Sequence, residues 1–102
     1  MSDSTATNPI TGANSLGEFD FSYSINTETY EITVSTAFDG LDCGTSTLSE
    51  THMQGTIFKN TGIQIYEGKV TADFQNSKLE ATVEINSFGK VVYQNYGTIA
   101  RW

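Results

Sequence analysis

Residues 18–25 read EFDFSYSI. Phe19, Phe21, Tyr23 and Ile25 alternate with Glu18, Asp20, Ser22 and Ser24. A strict period of two places one set on each side of an extended chain, the mark of a strand with one face buried and one wet. Four polar residues, NTET, interrupt the pattern. It then resumes with Tyr30, Ile32 and Val34 on one side and Glu31, Thr33 and Ser35 on the other. Two such runs joined by a short polar break predict a β-hairpin.

The second half of the chain repeats the arrangement. Val70, Ala72 and Phe74 lead into QNSK, and Leu79, Ala81, Val83 and Ile85 lead out. YEITV at 30–34 echoes LEATV at 79–83, about half a chain away. Gly55-Thr56-Ile57-Phe58 likewise echoes Gly97-Thr98-Ile99-Ala100. Each half therefore reads as a hairpin, a less regular strand and a strand carrying Gly-Thr-Ile. A single unit of this kind cannot bury its apolar face alone, so two four-strand meanders would bury theirs against each other.

The strands are expected at 18–25, 30–38, 42–49, 53–59, 62–67, 69–75, 79–86 and 90–102. No apolar stripe of helical period runs through the chain. The fold class expected is all-β: an antiparallel barrel or sandwich of about eight strands, built from two four-strand meander halves. Residues 1–17 are small and polar, with Asn-Pro and Thr-Gly turn signals, and read as a polar N-terminal leader lying along a single β domain at 18–102. The 102 residues suffice for one core.

The formal charge is −7, from 12 acidic and 5 basic side chains. Lys59, Lys69, Lys78, Lys90 and Arg101 are scattered, whereas phosphate binding draws on clustered cations. Nucleic acid and anionic membrane are therefore not expected as partners. The N-terminus lacks the basic start and apolar core of a secretory signal, so a soluble cytoplasmic protein is expected. A secreted chain trimmed of its signal would read the same.

Chemistry-bearing residues are few. Cys43 and His52 are each the only one of their kind, with Asp39, Asp42 and Glu50 nearby. A nucleophile needs a base and an orienting group within hydrogen-bond reach, and the spacing fixes no such trio. Zinc would want three or four His or Cys ligands. Asp39-Gly40 reads as a turn. Catalytic residues, metal and cofactor are therefore all expected to be none. Glu18, Asp20, Glu31, Glu80 and Glu84 fall on the polar faces of their strands and read as a solvated sheet surface.

The final strand breaks the clean alternation. Val91, Tyr93 and Ile99 occupy one register, and Val92, Tyr96, Ala100 and Trp102 the other. Apolar residues on both sides ask for cover on both sides. With Tyr66, placed on the outward register of 62–67, the residues Val92, Tyr96 and Trp102 are the expected ligand-binding or interface set. The cover would be the leader, a second copy of the chain in a homodimer, or a sugar ring stacked on the aromatics.

Thr, Ser, Asn and Gly richness, surplus aromatics and the lack of a triad favour a non-catalytic binding protein, with carbohydrate as the small ligand. The alternatives are a small β-barrel cyclase or isomerase that holds an apolar substrate in a reactive shape, and an acidic inhibitor or assembly module that binds another protein.

Overall fold

The computed structural model describes residues 9–102. Its strands are β1 (Ile10–Leu16), β2 (Phe19–Asn26), β3 (Glu31–Phe38), β4 (Leu41–Leu48), β5 (Gln54–Asn60), β6 (Gln64–Asp73), β7 (Lys78–Ser87) and β8 (Lys90–Arg101). They form two antiparallel four-stranded sheets, β1-β2-β3-β4 and β5-β6-β7-β8. The fold is thus the all-β arrangement of two meander halves, as a sandwich rather than a closed barrel. Side-chain hydrogen bonds join the sheets at their edges: Asn14 Nδ2 to the Ile99 carbonyl (3.2 Å) between β1 and β8, and Ser46 Oγ to the Thr56 carbonyl (3.5 Å) between β4 and β5.

Alternation explains the core. Phe19, Phe21 and Ile25 of β2 and Ile32 and Val34 of β3 are buried from one sheet. Val70, Ala72, Leu79, Ala81, Val83 and Ile85 meet them from the other. Small Ala72 and Ala81 stand among the larger Val70, Leu79 and Val83 on this inner face, and side chains of the two inner faces interdigitate to fill the core. An aromatic cluster closes each end. Phe38 lies 4.9 Å from Phe19 and 4.8 Å from Tyr66, centroid to centroid. At the other end Phe74 takes Tyr30 at 5.8 Å and Trp102 at 6.2 Å, both edge to face.

The turns follow from their residues. Asp39-Gly40 and Phe88-Gly89 are two-residue hairpin loops with positive φ at all four positions. Tight hairpins prefer this left-handed geometry because it matches strand twist. Asp-Gly is the expected pair, whereas Phe88 holds φ 52° with a bulky side chain. The longer loops after β2 and β6 share one design. Asn26 Oδ1 accepts from the backbone N–H of Glu28 and Thr29, and Asp73 Oδ1 accepts from that of Asn76. Tyr30 and Ser77 then close their loops at φ 56° and 51°.

Four sequence expectations need correction. Ile10–Leu16, inside the stretch read as leader, is edge strand β1 paired to β2. Most of its residues are exposed, so no apolar alternation marks it. The part of the leader before Pro9 lies outside the described residues. The segments expected at 62–67 and 69–75 are one strand, β6, which runs straight through Gly68. A Cβ at Gly68 would collide with the Thr82 carbonyl, so this glycine marks a close approach of β6 to β7 rather than a break. Because β6 is continuous, Tyr66 shares the inward face with Val70 and Ala72 and is buried, not outward. Its hydroxyl is satisfied by Gln64 Oε1 at 2.6 Å.

The last correction concerns the repeats and Trp102. The Gly-Thr-Ile strands, β5 and β8, are the two edges of one sheet and not equivalent members of two halves. The 30–34 and 79–83 echo does fall at the third strand of each half, although the loop-closing place of Tyr30 is matched by Ser77 and not by Leu79. In β8 the register shifts where Leu79 pairs with Ala100 but Glu80 pairs with Thr98. Ile99 is the extra residue, and both Ile99 and Ala100 are buried. The bulge turns Trp102 toward the core side, away from the face carrying Tyr96. Trp102 is covered by its own chain: its ring meets Phe74 and its backbone N–H donates to the Ser77 carbonyl (2.9 Å).

Candidate functional site

The outward face of the second sheet assembles side chains that are far apart in sequence. Register places Phe58 beside Glu67, Glu67 beside Glu84, and Glu84 beside Gln94, one row across all four strands. The next row toward the β7–β8 turn is Asn60, Ile65, Asn86 and Val91. The row on the other side is Thr56, Lys69, Thr82 and Tyr96. Each is on the surface because its neighbours along the strand, such as Ile57, Tyr66, Val83 and Ile85, face inward.

The central row is held by a hydrogen-bond network. Asn86 Nδ2 donates to Glu84 Oε2 (2.9 Å) and to Glu67 Oε1 (3.4 Å). Gln94 Nε2 donates to Glu84 Oε1 (3.0 Å). Glu84 accepts from both amides, and these bonds hold its carboxyl below the usual glutamate range. Glu67 is raised, first by loss of water around it and then by Glu84 next to it. Adjacent carboxylates do not ionise with equal ease, and the one with better donors keeps the charge.

Two open grooves run along this face. One, of about 380 Å³, is lined by Thr56, Phe58, Glu67, Lys69, Thr82 and Glu84. The other, of about 460 Å³, includes Asn60, Ile63, Ile65, Glu67, Asn86 and Phe88. Glu67 lines both, so they form one strip from Phe58 to Phe88. The volumes fall within the range of small-ligand sites, ~300–1,000 Å³. Phe58 is 53% exposed and Phe88 87% exposed, so each offers a free ring face at an end of the strip. From Glu84 to Phe88 the rise of a strand gives roughly 13 Å.

The residues expected from sequence do not gather in one place. Tyr66 is core, and Trp102 packs at the far end beside Phe74. Val92 and Tyr96 are exposed on β8, and Tyr96 borders a further groove with Thr71, Glu80 and Thr82. Cys43 and His52 are not brought together. The thiol faces the core, donates to the Leu41 carbonyl at 3.4 Å, and burial pushes its pKa up. His52 is exposed in the β4–β5 link, where its backbone bridges to Ser49. Glu84 is on the polar side as expected. Its partners Phe58, Glu67, Asn86 and Gln94 were missed, because cross-strand register has no signature in a single strand. Phe88 alone left a signal: an aromatic stands before Gly89 where a tight turn usually takes Asn or Asp.

Fold and site together define an acidic β-sandwich with one open, aromatic-flanked polar sheet face. Comparison with family models, with characterised proteins and with solved structures finds no match.

Proposed function

We propose that the chain is a non-catalytic carbohydrate-binding protein, with the sugar lying in the strip between Phe58 and Phe88. The observation that carries this reading is the exposed Phe58 ring beside the bridged Glu67, Glu84, Asn86 and Gln94 cluster. Sugar rings present apolar C–H faces that stack on an aromatic, and hydroxyls that pair with carboxylates and amides. Both partners stand side by side on a paired sheet, so little ordering entropy is lost on binding. The strip is long enough for more than one ring. Its openness to solvent supports binding over a cyclase, which would enclose an apolar substrate. Glu67 and Glu84 share Asn86 on adjacent strands, so they stand together rather than on either side of a scissile bond, as glycosidic acid–base work requires.

The test is a titration of the ¹⁵N-labelled protein with neutral and acetylated oligosaccharides. Shifts confined to β5–β8 amides around Phe58, Glu84 and Asn86, abolished by Phe58→Ala, are expected. Shifts centred on the β1–β4 face, or binding unaffected by Phe58→Ala and Glu84→Ala, would refute the assignment.

A further inference from the structure

We infer that two copies of this chain associate through antiparallel pairing of β8 with β8, about a twofold axis at Gln94. Among the described residues, β8 pairs only with β7 and its other edge is unpaired. β1 runs beside its later part from the other sheet, where Asn14 bonds the Ile99 carbonyl and Leu16 lies against Gly97, and Gly17 in the following turn lies against the Tyr93 hydroxyl. From Val91 to Tyr96 no described strand pairs with the backbone on that side.

Backbone direction selects the register. The Tyr96 N–H donates to the side-chain Oδ1 of Asn95 at 2.9 Å. It therefore points to the free edge, and alternation points the N–H and carbonyl of Gln94 the same way. In an antiparallel pair centred on Gln94, the two Gln94 residues exchange backbone bonds. Val92 of each copy then stands opposite Tyr96 of the other, twice by symmetry. Val92 is 59% exposed and Tyr96 80% exposed. A β-branched residue opposite an aromatic is a favourable cross-strand pair. A pair centred further along would run into the part covered by Leu16 and Asn14.

Of the usual guards the edge carries bulges at its two ends and lacks the others. No charged residue or proline lies between Val91 and Ala100, although lysine and proline commonly blunt exposed edges. Val92 is the extra residue of a bulge and sits at the outer end of the paired run, next to regular strand from Tyr93 to Gly97. The Asn95 side chain that now accepts from Tyr96 N–H is displaced on pairing, when a backbone carbonyl of the partner takes its place. Six residues of edge pairing make a contact smaller than a standard interface of about 1,600 Å², so the association is weak and depends on concentration. Pairing joins the two outward faces into one eight-stranded surface, with Glu84 and Gln94 of each copy near the axis. The inference does not depend on what that face binds.

Sedimentation velocity over low to high micromolar concentration tests it. The native chain is expected to shift from monomer to dimer. Tyr96→Lys should hold it monomeric with unchanged far-ultraviolet circular dichroism, and Tyr96→Pro, which removes the edge N–H, should do the same. The register is tested by the double variant Val92→Glu with Tyr96→Lys. It sets a carboxylate opposite an ammonium across the axis and should restore a dimer that salt weakens. A native chain that stays monomeric at high micromolar concentration overturns the inference, as does a dimer that survives Tyr96→Lys. Failure of the double variant to regain association overturns the Gln94-centred register.

Discussion

The two outward sheet faces share a topology and an alternating pattern, and differ in nearly everything else. The first presents Ser22, Ser24, Thr33, Ser35, Thr45 and Thr47, small hydroxyls facing one another across β2, β3 and β4, with the carboxylates Asp20 and Glu31 apart at its two ends. Ser35 and Thr45 bond each other at 3.0 Å. The second presents carboxylates, amides, Lys69 and exposed aromatics in the same geometric places. A wet β face needs only residues that tolerate water and the extended chain, and the first sheet shows how little suffices. Exposed Phe58 and the adjoining Glu67 and Glu84 exceed that need. Like charges directly opposite each other work against the sheet, and an exposed aromatic adds little to its stability. Such an excess on one face of a symmetrical scaffold is where function is to be sought.

Substitutions on the two sheets should have unequal effects. Phe21→Ala removes the core on which both faces rest and should cost about 3–5 kcal/mol by chemical denaturation. A cost below about 1 kcal/mol would place Phe21 on the wrong side. Phe74→Ala should cost less, because the ring is only partly buried among Tyr30 and Trp102. Gly68→Ala acts on the second sheet alone. Its methyl group meets the Thr82 carbonyl beneath the strip, and overpacking of this kind costs about 1–3 kcal/mol. Thermal unfolding would register it, while the equivalent exposed change Ser35→Ala should stay within about 0.5 kcal/mol.

Binding then separates the faces. Phe58→Ala or Glu84→Ala should weaken sugar binding by about tenfold or more, equal to ~1.4 kcal/mol. Thr33→Val and Ser35→Ala on the first sheet should leave it unchanged in the same calorimetric titration.

The smallest effect is in acid. Carboxyl resonances followed by NMR should titrate with Glu67 above Glu84. The signs for stability are opposite. Glu67 costs stability above its raised folded-state pKa, and that cost lifts as pH falls through it toward the ordinary value. Glu84 and Asp73, both lowered by hydrogen bonds, contribute stability above the ordinary carboxylate pKa. That contribution is lost as pH falls through their folded-state values. All three are near solvent, so the net slope should be shallow.

Legibility in the sequence follows burial. β2, β3 and β7 are buried on one face and wet on the other, so Phe19 to Ile25, Ile32 to Val34 and Leu79 to Ile85 announce themselves by alternation. β1 is exposed at nearly every position and leaves no such trace. Gly68 reads as a break from composition, yet it is an adaptation to the neighbouring strand, and that misreading carried Tyr66 to the wrong face. In β8 one extra residue at Ile99 reverses which side Trp102 occupies. A side-chain period of two makes every single-residue shift a change of face.

Alternation along single strands specifies the all-β class, the two meander halves, most of the core and the carboxylates' outward position. Each of these is local: it depends on which residues alternate along one strand. Tertiary structure decided the open sandwich, the end of the molecule that Trp102 closes, and the meeting of Phe58, Glu67, Glu84, Asn86 and Gln94. These depend on register between strands and on packing between sheets, where the partner of each residue is chosen by hydrogen bonds and volume that no single strand contains.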